Sequence, residues 1–285
     1  MAAQGLTLVI GATGNVGRQV VHQLVEGGHP VRAFVRNPAS AGLPAEAEIA
    51  QGDLTDPATL EAALEGVDSV FLVWPYLTLE DAPGVVDTIS AGGRKVVYLS
   101  SAGIRDDRAE QDDPINRFHI GIEQMIDKSG APWTFLRCGS FMATLLEWSE
   151  QIREGVVREA FPDAVRVLIH ESDIAAIAVR ALTEDGHAGR KYLLTGPEAL
   201  SQVEQVRIIG EAIGRPVRFE EVTQEELREA MLSEGWADGD IDGLFAAYAQ
   251  MGQVEQPVHS TVEEITGVPA RSLFRWAQDH AADFR

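Results

Sequence analysis

The sequence predicts an α/β protein in which a doubly wound parallel β-sheet carries helices on both faces. Through the first half of the chain, short and nearly continuous apolar runs alternate with amphipathic helical patterns, which is typical of βαβ units. A glycine-rich turn follows the first apolar run and precedes the first helical pattern. The second half becomes mostly helical and acidic. The 285 residues allow this Rossmann-like domain and a smaller, mostly helical C-terminal part that would bind substrate.

Six strands are expected in the first half of the chain. Their apolar runs are almost unbroken, as they should be when helices cover both faces of a sheet. The predicted strands span residues 6–10, 31–35, 47–50, 69–74, 95–100 and 133–137.

Two helices between these strands have recognisable ends. Apolar residues recur at helical spacing from Val16 to Leu24, and the Gly27-Gly28 pair is expected to end this first helix. The second helix is expected to begin with Asp56 as its N-cap and Pro57 at its first position.

The chain beyond residue 139 has a looser pattern. Short strands near residues 166–169 and 191–195 enclose a helix over 172–182, and we expect this segment to return to the sheet. Residues 1–138 would then form the nucleotide-binding domain, and most of 139–285 a substrate-binding or lid region.

The segment after Gly196-Pro197 is expected to be helical, with its many acidic residues on a solvated face. Its apolar residues are expected to pack as a cap over the ligand edge of the sheet. These residues are Val222, Leu227, Met231, Leu232 and Trp236.

The charge and cysteine content exclude several classes of protein. There are 23 Lys and Arg against 44 Asp and Glu, a formal net charge of −21, which disfavours binding to nucleic acid or to an anionic membrane surface. No apolar run approaches the ~20 residues of a membrane span. The single cysteine, Cys138, cannot form an internal disulfide, and no Cys/His cluster has zinc-finger spacing. A cytoplasmic protein without a metal is therefore expected.

The glycine-rich turn has the spacing Gly-x-x-Gly-x-x-Gly and lies between a predicted strand and a predicted helix. In that position, glycines let the backbone approach a pyrophosphate while the amides of the helix N-terminus point at it. We therefore predict a dinucleotide site, the alternative being a turn without a ligand. Its predicted contacts are Gly11, Thr13, Gly14, Asn15, Val16 and Gly17.

The choice of cofactor is read at the end of the second strand. An acidic residue there would favour NAD, but the sequence has Arg36, which predicts NADP(H). The alternative is that Arg36 is a solvent-exposed arginine. Arg18 is expected to share the 2′-phosphate. Asp53, followed by Leu54, would face the adenine amino group or merely form a turn. Further cofactor contacts are predicted at the end of the fourth strand, from Val73 and Trp74.

Several motifs together resemble the NmrA-like branch of the atypical short-chain dehydrogenase/reductases. The resemblance covers nearly the whole chain. It is carried by the glycine motif, residues 35–38, 52–54, 99–103, 119–123, 134–137, 195–197 and 263–267, and Trp276. It implies NADPH-dependent reduction of a quinone or another conjugated carbonyl compound. Relatives also include redox-sensing proteins that bind the dinucleotide without turning it over. A secondary-metabolite isomerase or cyclase that retains the nucleotide is a further alternative.

The catalytic positions depart from the family pattern. Related enzymes carry Tyr-x-x-x-Lys after the fifth strand, and alignment on Glu123 places Ile115 and His119 at those positions. Isoleucine cannot donate a proton, so His119 becomes the catalytic candidate. Glu123 lies one helical turn beyond it and would fix its tautomer or raise its pKa. His119 would then hydrogen-bond the ribose or protonate a reduced quinone, or it only fills space. Ser101 matches the hydroxyl that usually binds substrate.

The substrate is expected to be small, hydrophobic and planar. Tyr76, Phe141 and Met142 are the predicted pocket residues, although each is also an ordinary packing residue. The thiol of Cys138 is expected to be unreactive. A homodimer is a further expectation.

Overall fold

The computed structural model describes residues 5–108, 110–111, 113–253 and 256–285. The described residues fall into two compact units. Unit 1 comprises those within Met1–Gly139, Glu171–Leu194 and Thr261–Val268, and unit 2 those within Ser140–His170, Thr195–Ser260 and Pro269–Arg285.

The strands, in chain order, are β1 Leu6–Ile10, β2 Val31–Val35, β3 Glu48–Gln51, β4 Val67–Leu72, β5 Lys95–Ser101, β6 Trp133–Cys138, β7 Val156–Glu159, β8 Val165–Arg166, β9 Arg190–Leu194, β10 Leu200–Ser201 and β11 Arg218–Glu221. The α-helices are α1 Asn15–Glu26, α2 Pro57–Ala63, α3 Ala82–Ser90, α4 Pro114–Lys128, α5 Ser149–Glu154, α6 Glu171–Thr183, α7 Gln202–Ala212, α8 Gln224–Ser233, α9 Asp238–Met251, α10 Thr261–Thr266 and α11 Leu273–Asp279. A 3₁₀ segment spans Met142–Trp148.

Unit 1 is built on a seven-stranded sheet with the order β3-β2-β1-β4-β5-β6-β9. Every neighbouring pair in it is parallel. The strand order reverses between β1 and β4, and ligands of doubly wound sheets bind at the carboxyl ends of the strands on either side of such a reversal. The predicted α/β class is confirmed.

The strands of the first half lie where the sequence predicts them, with small differences at their ends. The largest difference is β4, which ends at Leu72 instead of residue 74. Pro75 has no backbone N–H with which to continue the ladder of the sheet. Just before it, the indole of Trp74 donates to the Thr78 carbonyl at 3.0 Å.

The predicted helix ends in the first half are confirmed. The buried face of α1 runs from Val16 to Leu24, and the chain leaves the helix at Gly27 and then Gly28, whose φ is +71°. The Asp56 side chain accepts a hydrogen bond from the Ala58 amide at 3.1 Å, with Pro57 in the first position of α2.

The segment 171–194 belongs to unit 1, since α6 packs against α1 and β9 pairs with β6. Of the strand expected near 166–169, only Arg166 is in a regular strand. Ile169 instead forms an isolated bridge with Phe141. The short helix α10 also belongs to unit 1 and packs on α6, which the sequence pattern does not indicate.

Unit 2 combines helices with two short ribbons, in which β10 pairs antiparallel with β8 and β11 pairs parallel with β7. Its main core forms around Trp276, Phe284 and Ile209. A smaller core around Met231, Ile241 and Phe245 joins α8 to α9.

The apolar residues of the acidic segment pack only in part. Met231 is buried and Leu227 packs against it, but Leu232 and Trp236 are 43% and 41% exposed. The expectation that all of these residues pack in a cap is therefore wrong for those two. Within the described residues, no helix is both long enough and apolar enough to span a membrane.

Candidate functional site

The glycine-rich turn between β1 and α1 depends on close backbone approaches. Gly11 has a φ of +83°, in the left-handed region, and a Cβ atom there would lie 2.8 Å from the Cβ of Val73. A Cβ on Gly17 would lie 2.1 Å from the carbonyl oxygen of Gly11. The first turn of α1 therefore packs directly on the end of β1, and Thr13, Gly14 and Asn15 are left exposed.

The N-terminus of α1 presents backbone donors. Gly14 is the N-cap, and no side chain caps this helix or places a negative charge in its first turn. The amides of Asn15, Val16 and Gly17 consequently lack acceptors within the helix. Together with the helix dipole, these amides form a site for an anion such as a pyrophosphate.

Arg18 ties a neighbouring loop to the glycine-rich turn. Its Nη1 donates to the Gly42 carbonyl at 2.6 Å, and its Nη2 donates to the Thr13 carbonyl at 3.4 Å. Its expected contact with a 2′-phosphate remains a prediction.

A cavity of about 220 Å³ opens beside this turn, in unit 1. It brings together residues that are distant in the sequence but follow the carboxyl ends of β1, β2, β3 and β4. Among them are Gly11, Thr13, Arg36, Asp53, Leu54, Val73 and Tyr76. Half of the predicted cofactor contacts therefore line one cavity.

Asp53 forms a turn and also lines this cavity, and its contact with the adenine amino group remains a prediction. Its Oδ1 accepts from the amide and hydroxyl of Thr55 at 3.0 and 2.9 Å. These bonds, and the charge of Arg36, lower the pKa of Asp53. The Tyr76 hydroxyl donates to the same oxygen at 3.5 Å. Burial, followed by the Asp53 charge, raises the pKa of Tyr76, which therefore stays a neutral donor.

Tyr76 thus lies beside Arg36 and Asp53, although it is predicted to contact substrate. Trp74 is buried in the core of unit 1, with its ring edge-to-face against Tyr76 at 5.3 Å. Trp74 is not among the residues that line the 220 Å³ cavity, and its contact with the cofactor remains a prediction.

A second group of polar residues lies where α4 covers β5. Asn116, His119 and Glu123 are three and four residues apart, so they share one face of α4. Each is hydrogen-bonded to a hydroxyl of β5: Asn116 to that of Ser101, His119 to that of Tyr98 and Glu123 to that of Ser100.

His119 is held by Tyr98 in one tautomer. The Tyr98 hydroxyl is 2.6 Å from Nδ1 of His119, and Tyr98 is fully buried. Burial, and then the charge of Glu123, raises the pKa of Tyr98 well above its usual value, so the phenol keeps its proton. Since a buried O–H needs an acceptor, Tyr98 donates to Nδ1, and the hydrogen of the neutral ring lies on Nε2.

The imidazole of His119 is neutral at physiological pH. Burial lowers its pKa to about 4, although the charge of Asp113 acts in the opposite direction. The ring also packs on Phe118, with centroids 4.2 Å apart. His119 can therefore donate a hydrogen bond from Nε2, but it holds almost no acidic proton at pH 7.

The expectation that Glu123 raises the pKa of His119 is wrong. Glu123 accepts from Ser100 at 2.6 Å and from Arg137 at 2.9 and 2.6 Å, and Arg137 in turn binds Asp106 through two bonds of 2.8 Å. The carboxylate is therefore occupied by a guanidinium on the neighbouring strand.

Ser101 lies in a chain of side-chain hydrogen bonds. Its hydroxyl donates to Oδ1 of Asn116 at 2.6 Å and accepts from the Gly103 amide at 3.1 Å. The Asn116 amide donates to Asp113, which fixes its orientation. The Ser101 hydrogen is thus engaged, and its oxygen can accept one more bond. Ile115 is 54% exposed, and its apolar side chain cannot take part in this chain of hydrogen bonds.

The remaining candidates, Phe141, Met142 and Cys138, are buried or half-buried residues. Met142 is buried in the main core of unit 2, and Phe141 is half-buried beside it. Their contact with substrate remains a prediction. Burial raises the pKa of the Cys138 thiol well above its usual range, so this thiol stays protonated.

Sequence reasoning missed Tyr98 and Asn116. Tyr98 reads as a packing residue of β5, yet Tyr98 and Ser100 alternate along this strand and so face the same helix. Asn116 follows Ile115, the residue that replaces the tyrosine of the family pattern. The helical spacing of Asn116, His119 and Glu123 is the signal that could have found it.

Comparison with known proteins adds a family and several relatives. The sequence model of the NmrA-like family matches residues 3–282. The chain is 39% identical over 282 residues to a (4-alkanoyl-5-oxo-2,5-dihydrofuran-3-yl)methyl phosphate reductase of Streptomyces griseus, covering 98% of this chain and 99% of that protein. It is 37% identical over 286 residues to an NAD(P)H azoreductase of Xenophilus azovorans, with the same coverage of 98% and 99%.

The fold is also similar to solved structures. The NADPH complex of an Escherichia coli NADPH-dependent quinone oxidoreductase aligns with a TM-score of 0.76 and 26% identity. The alignment covers 96% of this chain and 99% of that one.

Proposed function

The chain belongs to the NmrA-like family, and we propose that it uses NADPH to reduce a small conjugated carbonyl compound such as a quinone. The observation that carries the proposal is the 220 Å³ cavity, where the glycine-rich turn, Arg36 and Asp53 meet. Relatives named as a NAD(P)H azoreductase and a quinone oxidoreductase support the reaction class.

The residues of unit 1 fit NADPH. Gly11 and Gly17 let the first turn of α1 pack directly on the end of β1, and the amides of α1 that lack acceptors within the helix suit the pyrophosphate. Arg36 supplies a positive charge for the 2′-phosphate, and Asp53 an acceptor for the adenine amino group. When bound, the nicotinamide supplies hydride.

The substrate class follows from what the relatives reduce. The Streptomyces griseus relative is named for a ring whose double bond is conjugated with carbonyl groups. Quinones have the same arrangement, and hydride addition to either produces an oxyanion that resonance stabilises. An acceptor of this kind does not need the tyrosine that Ile115 replaces.

In the proposed reaction, His119 stabilises this oxyanion. Tyr98 keeps the hydrogen of the neutral imidazole on Nε2, where it can donate to the developing charge. The proton that completes the product comes from water, because the ring itself holds no acidic proton near pH 7. His119 is then an electrophilic donor instead of a general acid.

A panel assay tests the proposal. NADPH oxidation is followed with quinones, a cyclic enone ester and an azo dye, alongside NADPH binding measured by fluorescence. We expect oxidation with at least one conjugated acceptor. Tight NADPH binding without oxidation by any of them would instead favour a redox-sensing protein.

Two smaller expectations accompany this proposal. A homodimer remains a prediction that light scattering of the purified protein can test. Residence in the cytosol remains a prediction that rests on the single, buried cysteine.

A further inference from the structure

Unit 2 contains a cavity of about 570 Å³ that none of the cofactor residues line. Its walls include Trp148, Tyr248, Trp236, Met231 and Leu227. Its volume lies in the range of about 300–1,000 Å³ that is usual for small-molecule sites, and such sites are largely apolar with a few polar groups. Size and lining therefore suit an organic molecule with an aromatic or alkyl body.

The polar group that distinguishes this cavity is the guanidinium of Arg166. Arg166 lies on β8 and is only 8% exposed. It stands over the rings of Trp148 and Tyr248, at 5.8 and 5.6 Å from their centroids. Its Nη2 donates to Oε1 of the buried Gln205 at 2.6 Å, while its Nε is buried without a partner.

Arg166 lacks the counter-ion that a buried arginine normally has. Among the described residues, no carboxylate lies within ion-pair distance of it, whereas the other buried arginine, Arg137, contacts both Glu123 and Asp106. Burial lowers the pKa of Arg166, and the more distant charges of Glu159 and Glu147 do not offset this. In Arg137, burial also acts to lower the pKa, but the hydrogen bonds and charges of Glu123 and Asp106 outweigh it and raise the pKa. The guanidinium of Arg166 is thus left without a directly paired carboxylate among the described residues.

We propose that the cavity of unit 2 binds a small organic monoanion, whose oxyanion group contacts Arg166 and whose apolar body lies against Trp148, Tyr248 and Met231. A carboxylate or sulfonate oxygen would accept from the guanidinium and supply the missing charge. The proposal does not depend on the reductase activity, since it concerns binding in unit 2 alone.

The acidic residues of the cavity limit the charge of its ligand. Glu147 and Glu234 are exposed, so water screens them. Glu159 lies deeper and accepts from Trp148 Nε1 at 2.9 Å, and burial raises its pKa. One negative charge can be matched by Arg166, but further charge would meet these carboxylates. The cavity therefore favours a monoanion over a polyanion.

Calorimetric titration with two probes of the same shape tests this inference. Naphthalene-2-sulfonate carries one negative charge, and naphthalene-2-sulfonamide is neutral. Without NADPH, we expect the wild-type protein to bind the sulfonate at least ~tenfold more tightly, a difference of about 1.4 kcal/mol. Arg166→Met should remove this preference while leaving the affinity for the sulfonamide unchanged.

Three further variants control the experiment. Arg158→Met changes another arginine of the same cavity, one that is half-exposed and paired with Glu220, and should keep the preference. Arg36→Ala should also keep it, because the probe is not expected at the dinucleotide site. Arg166→Lys retains the charge and should retain part of the preference.

The inference is overturned if the wild-type protein binds both probes equally, a result that needs no variant to fold. It is also overturned if Arg166→Met, shown by circular dichroism to be folded, keeps the full preference. Loss of sulfonate binding in Arg36→Ala but not in Arg166→Met would place the probe in unit 1 and equally overturn it.

Discussion

The charge of a single side chain in this protein depends on which neighbours bury it. His119 loses its charge because its burial beside Tyr98 and Phe118 outweighs the charge of Asp113. Arg137 is more deeply buried, yet it keeps its charge because Glu123 and Asp106 accept from it. Burial thus has opposite functional results for a group that can release its proton and for one that cannot.

Tyr98→Phe tests whether Tyr98 positions His119. Without the phenol hydroxyl, either ring nitrogen can carry the hydrogen, so kcat with a quinone should fall by ~fivefold or more, about 1 kcal/mol in the barrier. The affinity for NADPH should not change. Nitrogen NMR shifts of His119 should change from those of a single Nε2–H tautomer to those of a mixture.

Tyr192→Phe is the matched control, because Tyr192 also bonds to a histidine, with 2.9 Å between its hydroxyl and Nδ1 of His187. It should leave kcat and the His119 signals unchanged. Unchanged His119 shifts in Tyr98→Phe would show that Tyr98 is only a packing residue.

Arg36→Ala tests the choice of cofactor. Among the described residues, Arg36 is the only arginine that lines the 220 Å³ cavity, and its removal should weaken NADPH binding by ~tenfold to ~hundredfold, the usual value of a charge-assisted bond. NADH, which lacks the 2′-phosphate, should bind as before. Fluorescence titration measures both, with the exposed Arg207→Ala as the control. Equal losses for both dinucleotides would contradict a role at the 2′-phosphate.

At the scale of elements, α4 is joined to the sheet by charge as well as by apolar packing. Glu123 on α4 binds Arg137 on β6, which binds Asp106, and Asp106 also accepts from Lys191 on β9 at 2.8 Å. This series connects the helix that carries His119 to two strands and to the loop after β5. The network orients the helix and fixes its rotation, so that Asn116 and His119 face β5.

Arg137→Met tests this network. The change leaves Glu123, which is 2% exposed, without its guanidinium, and an unpaired buried charge typically costs about 3–5 kcal/mol. We expect a loss of that order in the free energy of unfolding, measured with urea. Arg207→Met, which breaks an exposed pair with Glu211, should cost less than about 1 kcal/mol. Equal losses in both would mean that the buried network adds no stability.

At the scale of the whole molecule, the negative charge is unevenly distributed. The formal net charge is −21, yet in residues 1–50 Arg18, Arg32 and Arg36 balance Glu26, Glu46 and Glu48. The first βαβ unit is therefore neutral, while the rest of the chain repels polyanions. Such a protein can accept a dinucleotide at one local site without binding nucleic acid.

The stability of the molecule should depend on His119 at mildly acidic pH. The unfolded histidine takes up a proton near pH 6.5, but the folded one only near pH 4. Between these values the unfolded state binds more protons, so the free energy of unfolding falls as the pH is lowered. The His119 contribution is at most about 1.4 kcal/mol per pH unit.

Urea unfolding of the wild-type protein and of His119→Asn at several pH values from neutral to mildly acidic measures this contribution. The variant should lose less stability on acidification than the wild-type protein, whatever the carboxylates contribute to both. Parallel curves for the two proteins would contradict the lowered pKa.

Much of unit 1 could be predicted from the sequence. The apolar runs of β1 to β6, the N-cap at Asp56 and the spacing of Gly11, Gly14 and Gly17 depend on residues close together in the chain. The strand order then brings Arg36 and Asp53 to one edge, because the carboxyl ends of parallel strands lie together. The position of the dinucleotide cavity followed from those patterns.

Pairing between distant side chains could not be predicted in this way. Glu123 is one helical turn from His119, yet it binds Arg137 from β6, and His119 meets Tyr98 from β5 instead. The return of α10 to unit 1 and the packing of Arg166 over the Tyr248 ring likewise involve residues far apart in sequence. Local patterns determine which elements form and which faces are apolar. Only the tertiary structure decides which polar groups are buried against one another, and so which of them keep their protons.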